Sequence, residues 1–393
     1  MKISFLNQSF KDYIDKYRKI ISQFSLSDYP FLRTLKDEQF IREIYLKVLK
    51  TATELANCTD ALVIVGIGGS ILLSRGILQG QNCNNVYFLG QGLDFDAFDK
   101  TLKMLKGKKL SLAFISKSGT TIECKLMFEY LKNFVEKENI VVISSKNSQI
   151  YKDADKDDIS CFEIPESVGG RFSFFTPVGM FPLAYAKLDF LKFYNGFLQE
   201  IKSFENDIFN SNEFSYACAR KELSNNFQVE SVISFDYKIQ SLLPCICQLL
   251  AESLGKENKG IYPSPCYFSE DLHSIGQFMQ EGKKCFFETF ITCAKDEKNN
   301  SKNFNFNDEI NNIKSIYKKY NSIACNSSIK AHADGGNKII NIELDSLSEE
   351  ECGRLIAFFI LSVLLYAKLD GVNPLNQGGV ENYKSNMKKF LNE

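Results

Sequence analysis

Apolar and polar residues alternate along this chain with two different periods. Up to about residue 58, apolar side chains stand three or four apart between charged ones, as in FIREIYLKVLKTATEL, which is typical of amphipathic helices. From ALVIVGIGGS onward, short apolar runs (NVYFLG, LSLAFISKSGTT, NIVVISS) are separated by helix-length stretches. This rhythm predicts parallel strands joined by crossover helices.

A weaker second cycle of the same kind follows. It consists of ESVISFDY, a helix from about Ile239 to Leu254, CFFETFITCA, KIINIEL and the apolar helix RLIAFFILSVLLYAKL. Because 393 residues exceed what one hydrophobic core supports, we predict two α/β domains. The predicted parts are a helical lead-in at 1–57, a first domain at 58–195, a second at 196–372 and a helical segment at 373–393. The Asn/Lys-rich residues 295–308 are predicted to form a mobile surface loop.

Composition and charge narrow the class of protein. Lys and Arg number 47 against 48 Asp and Glu, without a long run of one sign, which argues against nucleic acid as a partner. The amino terminus lacks the apolar block of a signal peptide, and the apolar helix at 353–369 is shorter than the roughly 20 residues that a bilayer needs. We therefore expect a cytoplasmic protein that does not bind membranes, with that helix buried in a core.

Cysteines and histidines indicate neither a disulfide framework nor a metal centre. The 12 cysteines are scattered from Cys58 to Cys352, and the closest pair, Cys245 and Cys247, has no partner motif. We interpret them as reduced thiols that fill the core. Only His273 and His332 are present, which excludes a histidine-rich metal site, and a structural turn role is favoured for His332. We predict no metal and no cofactor.

The first strand of the first domain runs directly into glycines. In Val63–Ser70, the sequence VIVGIGGS lets the backbone approach a ligand closely, and the helix that follows favours an anion. The segment is not a dinucleotide fingerprint, since Ile71 stands at the third glycine position, and no Gly-Lys-Ser/Thr makes it a P-loop. The alternative is a tight strand-to-helix turn without a ligand.

A second strand ends in SKSGTT and again leads into a helix. Hydroxyls, one ammonium and free helix N-terminal amides together suit a phosphate group. The alternative is a cluster of N-capping residues, which would explain one or two hydroxyls but not four beside a lysine. The candidate phosphate ligands are Ser116, Lys117, Ser118, Thr120 and Thr121.

Two glycines precede an arginine in VGGRFS. Gly169 and Gly170 allow a sharp turn that can hold the Arg171 guanidinium over a site, where it would stabilise a developing oxyanion. Taken alone, an arginine in a loop is usually a solvated surface residue.

Taken together, the motifs resemble those of one enzyme family. GIGGS, SKSGTT, VGGRFS, LLAESLGK (249–256), DLHSIGQ (271–277) and NQGGVENYK (376–384) occur in the order seen in short bacterial glucose-6-phosphate isomerases. GIGGS and SKSGTT are shared by many sugar isomerase (SIS) domains, whereas VGGRFS with QxGVExxK is specific to this family. The resemblance covers about residues 60–390 and implies two SIS-like three-layer α/β/α domains with mainly parallel sheets.

The resemblance also implies a role for each matching residue. Glu252 would carry the proton between C1 and C2, Arg171 would stabilise the enediolate, and His273 with Lys384 would assist ring opening. The remaining residues would bind the substrate: Gly69, Ser70, Ser116, Ser118, Thr121, Gln248 and Gln377. In this family the histidine comes from the neighbouring subunit, which implies a homodimer. Two departures are visible, because Cys124 stands where some members have threonine, and the lead-in is short.

The residues themselves leave blander interpretations open. Glu252 would ordinarily be a solvated helix glutamate, His273 a capped-turn histidine and Lys384 a solvent lysine. Proton transfer between adjacent carbons, however, needs one carboxylate near the C1–C2 bond and hydrogen-bonding or positive groups at the oxygens. The alternative functions are a non-enzymatic SIS-domain sensor of sugar phosphates and an isomerase that also accepts mannose 6-phosphate.

Overall fold

The computed structural model describes residues 1–8, 14–294 and 307–391, and these form two compact units. The first unit is Ser25–Asn195, and the second combines Met1–Phe24 with Gly196–Glu393. Each unit has its own five-stranded sheet. Most of the predicted surface loop, residues 295–306, lies outside the described part of the chain.

The sheet of the first unit is parallel throughout, in the order β3-β2-β4-β5-β6. Its strands are β2 (Ala61–Val65), β3 (Val86–Leu89), β4 (Leu110–Ile115), β5 (Ile140–Ser144) and β6 (Ser160–Glu163). Every residue of β2 and β5 is buried, as expected of central strands covered on both faces by helices. The helices are α2 (Pro30–Lys36), α3 (Glu38–Cys58), α4 (Leu72–Gly80), α5 (Asp96–Leu105), α6 (Ile122–Leu131), α7 (Gln149–Lys156) and α8 (Pro177–Tyr185).

The second unit has the strand order β1-β10-β9-β7-β8, with β1 antiparallel to β10 and the other pairs parallel. Its strands are β1 (Lys2–Leu6), β7 (Val229–Ser234), β8 (Tyr262–Tyr267), β9 (Phe286–Cys293) and β10 (Ile339–Leu344). Its helices are α1 (Ile14–Ile21), most of α9 (Phe190–Asn206, whose first residues belong to the first unit), α10 (Asn212–Leu223), α11 (Tyr237–Gln240), α12 (Leu243–Leu254), α13 (Gly276–Glu281), α14 (Asn307–Asp334), α15 (Glu349–Asp370) and α16 (Glu381–Leu391). The predicted α/β class with mainly parallel sheets is confirmed.

Three edge strands depart from the sequence pattern. The helical interpretation of the lead-in is wrong for β1, which adds to the free edge of β10 through backbone hydrogen bonds. The sequence pattern also missed β6 and β8. In β8, Pro263 and Pro265 would disrupt a central strand, but they are tolerated because only β7 pairs with it.

The apolar carboxyl-terminal helix α15 is long and apolar enough to span a membrane, by length and composition. However, 72% of the apolar stretch of this helix is buried inside the protein, and the buried residues lie on all of its faces. A helix that is apolar all round and packed on every side is a core helix. The predicted helix at Ile239–Leu254 is divided in two, because α12 begins anew at Leu243 with Pro244 in its first turn.

The second unit also buries a pair of carboxyl groups. Glu213 on α10 is 2% exposed and hydrogen-bonds to Glu200 on α9, which is 4% exposed. Arg354 Nε donates to Glu200 Oε2 at 2.7 Å. Burial first, and then the neighbouring Glu200 charge, raise the pKa of Glu213 to about 8. Glu213 therefore holds a proton at neutral pH.

This proton predicts a pH dependence of stability. Because the folded pKa of Glu213 lies above its unfolded value, its stabilising contribution is complete below about pH 4.5 and is lost as the pH rises through about 8. Glu213→Gln keeps the shape without the titration, so its melting temperature should fall less than that of the wild type between pH 5 and 8. Thermal unfolding measured between pH 5 and 8 checks this prediction. A Glu54→Gln variant, changed at an exposed glutamate, is the control. Parallel curves for wild type and Glu213→Gln would contradict the assignment.

Candidate functional site

The loops that follow β2 and β4 lie at the same edge of the first unit's sheet, because the carboxyl ends of neighbouring parallel strands meet there. The loop after β4 is Ser116–Thr121, and α6 starts directly after it. Gly119 has φ +67°, and a Cβ atom at this position would stand 2.7 Å from Cγ2 of Ile150. Only glycine satisfies both conditions without strain.

Hydrogen bonds within this loop fix its shape and leave hydroxyls at its surface. The Gly119 amide donates to Ser116 Oγ at 3.2 Å, and the Thr120 amide donates to Ser118 Oγ at 3.3 Å. Ser118 and Thr120 are exposed, whereas Ser116 is buried. Thr121 is the N-cap residue of α6, yet its side chain forms no capping hydrogen bond. N-capping thus does not account for this hydroxyl, and the loop presents donors at the positive end of a helix.

The glycine loop after β2 packs against the backbone that carries Arg171. A Cβ atom on Gly69 would lie 2.4 Å from the carbonyl carbon of Gly170 and 2.5 Å from the amide nitrogen of Arg171. The side chain of Arg171 is 9% exposed, and its guanidinium stands 5.0 Å from the centre of the Phe172 ring. Arg171 is therefore not the solvated loop residue of the blander interpretation.

Lys117 is half-buried, and its ammonium contacts the protein. Its Nζ donates to the main-chain oxygen of Glu166 at 2.8 Å. Burial lowers the pKa of Lys117, and the charge of Glu166 offsets this in part. The lysine thereby joins the Ser116–Thr121 loop to the segment that leads to Arg171.

The structure also brings in residues that the sequence analysis missed. Ser144 Oγ donates to the main-chain oxygen of Ser116 at 2.6 Å, and Gln91 Nε2 donates to that of Gly66 at 3.3 Å. Ser144 ends β5, which neighbours β4, and Gln91 follows β3, which neighbours β2. The run SSKNS, which starts at the end of the apolar run NIVVI, was the available signal, since residues after adjacent parallel strands converge.

Cys124 points into the core of the first unit. It is fully buried, its Sγ donates to the main-chain oxygen of Gly90 at 3.6 Å, and burial raises the pKa of its thiol to about 12. All twelve cysteines are free thiols. Within residues 1–8, 14–294 and 307–391, no group of three His, Cys, Asp or Glu side chains is placed to hold a metal ion.

In the second unit, Gln248 and Glu252 lie one helical turn apart on α12. Gln248 Nε2 donates to Glu252 Oε1 at 2.9 Å, and both side chains are half-buried. The Gln248 Oε1 atom is buried and has no hydrogen-bond partner among the residues that the structure describes. A carboxylate held by an amide differs from the solvated helix glutamate of the blander interpretation.

The carboxyl-terminal segment is attached just beyond the end of α12. Lys256 Nζ donates to the main-chain oxygens of Asn373 and Asn376, the latter at 2.7 Å. This contact fixes the chain immediately before Gln377, which is exposed. Lys384 follows on α16 and is exposed as well.

His273 ends a short 3-10 turn, Glu270–His273, and is exposed. Asp271 stabilises this turn, because its Oδ2 accepts the Tyr267 amide at 2.6 Å and its main-chain oxygen accepts Ser274 Oγ at 3.2 Å. The other histidine, His332, is not in a turn as predicted. It is buried in the last turn of α14, where Nδ1 lies 3.0 Å from both carboxylate oxygens of Glu288.

The predicted site residues thus fall into two groups. The first unit assembles the glycine loop, the hydroxyl loop and Arg171. The second unit pairs Gln248 with Glu252 and carries Gln377, Lys384 and His273 on other elements.

Comparison with known proteins gives concordant results. Residues 36–393 match the sequence model of the phosphoglucose isomerase family. The glucose-6-phosphate isomerase of Mycoplasma capricolum subsp. capricolum is 35% identical over 378 residues, which cover 90% of this chain and 88% of that protein.

Two crystal structures share the fold. A hypothetical protein from Thermus thermophilus superimposes with a TM-score of 0.82 at 20% identity, over 99% of this chain and 100% of the other. A glucose-6-phosphate isomerase from Chlamydia trachomatis gives 0.74 at 18% identity, over 89% of this chain and 73% of that one. These matches confirm the predicted α/β architecture with mainly parallel sheets.

Proposed function

This chain belongs to the phosphoglucose isomerase family, and from that premise we propose that it interconverts D-glucose 6-phosphate and D-fructose 6-phosphate. The observation that carries the proposal is the family match over residues 36–393, which includes every predicted site residue. The reaction is an aldose-ketose isomerisation, in which one proton moves between C1 and C2. It belongs to glycolysis and gluconeogenesis, and we place the protein in the cytoplasm.

Glu252 is the base in this proposal. After ring opening, its carboxylate removes the C2 proton of the open-chain aldose, and a cis-enediolate forms. A proton passes from the O2 hydroxyl to O1, and return of the carboxyl proton to C1 then gives the ketose. The hydrogen bond from Gln248 supports this role, because the amide donor fixes the orientation of the carboxylate. The buried Gln248 Oε1 is suited to accept a substrate hydroxyl.

Arg171 stabilises the negative charge of the enediolate. Its burial supports this role, since a positive charge held in place away from bulk water acts on a developing oxyanion without reorganisation. The sugar phosphate lies against the glycine loop, Gly69 and Ser70, and the hydroxyls of the Ser116–Thr121 loop. Gln377 is a further substrate ligand.

His273 and Lys384 assist ring opening, and His273 acts in the site of a neighbouring subunit of a homodimer. Its exposure supports the second part, because a side chain on an exposed turn is free to reach another protein chain. The large apolar side chains beside it, Ile275 and Phe278, are 43% and 51% exposed. The alternative of a non-enzymatic sensor is not favoured, since the relatives are named as isomerases.

A coupled assay tests the proposed reaction directly. The purified protein is supplied with fructose 6-phosphate, and glucose 6-phosphate is detected through its NADP-linked oxidation. Turnover that depends on Glu252 supports the proposal. A correctly folded protein without turnover would remove it.

The hydroxyl loop yields a prediction about affinity. Ser118→Ala and Thr121→Ala should each raise KM about tenfold, because each removes one hydrogen bond to a charged phosphate. The value of kcat should change less than about threefold, since the phosphate keeps the same charge in the transition state. Steady-state kinetics check this, with Thr101→Ala on α5 as control. An unchanged KM in both variants would remove the loop from the phosphate site.

The shared histidine yields a prediction about subunit mixing. Glu252→Gln and His273→Ala are each expected to be nearly inactive alone. If the site is shared, each hybrid dimer regains one complete site, and a randomised equal mixture should recover about a quarter of the wild-type activity. The assay is made after denaturation and refolding together. No recovery, in mixtures in which mass spectrometry detects hybrids, would mean that each chain uses its own His273.

A further inference from the structure

Three loops lie side by side at the carboxyl edge of the first unit's sheet, because they follow the adjacent strands β4, β5 and β6. Lys117 belongs to the loop after β4, Asn147 to the loop after β5 and Glu166 to the segment after β6. Neither Asn147 nor Glu166 was among the predicted site residues, and the proposed mechanism uses neither.

Glu166 is held from both neighbouring loops. Lys117 Nζ donates to its main-chain oxygen at 2.8 Å, and the side-chain amide of Asn147 donates to its carboxylate. The two donor loops are themselves joined, because the Ser145 amide donates to the Lys117 main-chain oxygen at 3.2 Å. Glu166 thus attaches the segment after β6 to the Ser116–Thr121 loop, which is the phosphate loop of the proposed mechanism.

Arg171 lies close to this attachment along the chain. Only four residues separate it from Glu166, and two of them are the glycines at 169 and 170, which restrict the backbone least. On the other side, the Gly170–Arg171 peptide packs closely against Gly69, and Ser173 Oγ donates to the Gly170 main-chain oxygen at 2.7 Å. When Glu166 is held in place, only the few residues between it and Arg171 can change conformation. The position of the guanidinium then varies less.

We propose that Lys117 and Asn147 are positioning residues that act through Glu166 to fix Arg171 relative to the phosphate loop. The inference rests on the proposed function and changes the part assigned to Lys117, whose ammonium then acts on the protein backbone and not on the phosphate. It predicts that loss of either contact harms the chemical step and leaves phosphate affinity almost intact.

Lys117→Met tests the proposal by separating these two effects. We expect kcat to fall about tenfold or more, while the inhibition constant of inorganic phosphate changes less than about threefold. In an Arg171→Lys background, the same Lys117→Met change should lower kcat by less than about threefold, because residues that act through one group are not additive. Asn147→Ala, from the neighbouring loop, should show the same pattern.

A direct phosphate contact by Lys117 gives the opposite result. The inhibition constant of phosphate would then rise with KM, and the Lys117→Met and Arg171→Lys effects would add. Either outcome overturns the proposal, as does an Asn147→Ala variant with wild-type kcat.

Hydrogen exchange provides a readout that needs no activity. In the Lys117→Met and Asn147→Ala variants, the amides of residues 166–171 should exchange faster than in the wild type, while those of β2 remain protected. Unchanged exchange in both would overturn the attachment even if the wild type proved not to be an isomerase. An inactive wild type would instead overturn the proposed function, so the two failures are distinguishable.

Discussion

Replacing Glu252 with glutamine is expected to lower kcat by about 10² to 10⁴-fold, the usual contribution of general-base catalysis. Glutamine keeps the length and hydrogen-bonding capacity of the side chain but cannot accept a proton. Substrate should therefore still bind, with KM close to the wild-type value. Exchange of the C2 hydrogen of glucose 6-phosphate with deuterated water should fall in parallel, because the same proton transfer starts both processes.

The structure supplies a matched control for this variant. Gln277 Nε2 donates to Glu281 Oε2 at 2.8 Å on α13, the same pair at the same helical spacing as Gln248 and Glu252, but on an exposed carboxylate. Glu281→Gln should leave kcat unchanged. If Glu252→Gln keeps near-normal turnover and exchange, the base is another acid, and Glu270, the first residue of the turn that ends at His273, becomes the next candidate.

Gly69→Ala should lower kcat about 10²-fold, the size of loss that a displacement of about 1 Å in a catalytic group produces. The new methyl group would need to occupy space 2.4 to 2.5 Å from backbone atoms of Gly170 and Arg171, which is closer than nonbonded atoms can approach. Backbone cannot move aside as a side-chain tip can. The Arg171 peptide must therefore shift, and the guanidinium with it.

Steady-state kinetics measure this loss of kcat, and thermal unfolding checks that the variant is folded. Gly92→Ala, in the same unit, is the control, because a Cβ atom there would meet nothing within 4 Å. Its kcat should equal that of the wild type. A folded Gly69→Ala enzyme with normal kcat would show that the position of Arg171 does not matter to turnover.

Apart from the edge strand β3, the strands that the sequence pattern predicted are central strands. Runs such as ALVIV and NIVVIS are continuous because water is excluded from both sides of a central parallel strand. The edge strands β1 and β8 carry no such signal. KISFL and YPSPCY pair on one side only, so half-exposed residues and even prolines are compatible with them, and nothing local distinguishes them from loops.

The loops of the candidate site were predictable for a related reason. A positive φ requires glycine at position 119, and a close backbone contact requires glycine at position 69. Where only one residue type fits the backbone geometry, the sequence alone indicates that geometry. The hydrogen-bond partner of a long polar side chain cannot be identified from the sequence in this way. Lys117 looked like a phosphate ligand beside its hydroxyls, and the carbonyl that it contacts belongs to Glu166, 49 residues further along the chain.

The sequence by itself determined the two cycles of strand and helix, the glycine and hydroxyl loops at their strand ends, and the motifs of the isomerase family. These features depend on local periodicity and on backbone conformations that few residues adopt. Only the tertiary structure decided that Cys124 points into the core, that His332 pairs with buried Glu288, and that Glu213 keeps its proton beside Glu200. Burial and hydrogen-bond partners arise between residues far apart in the chain, and a pattern that repeats over a few residues carries no information about them.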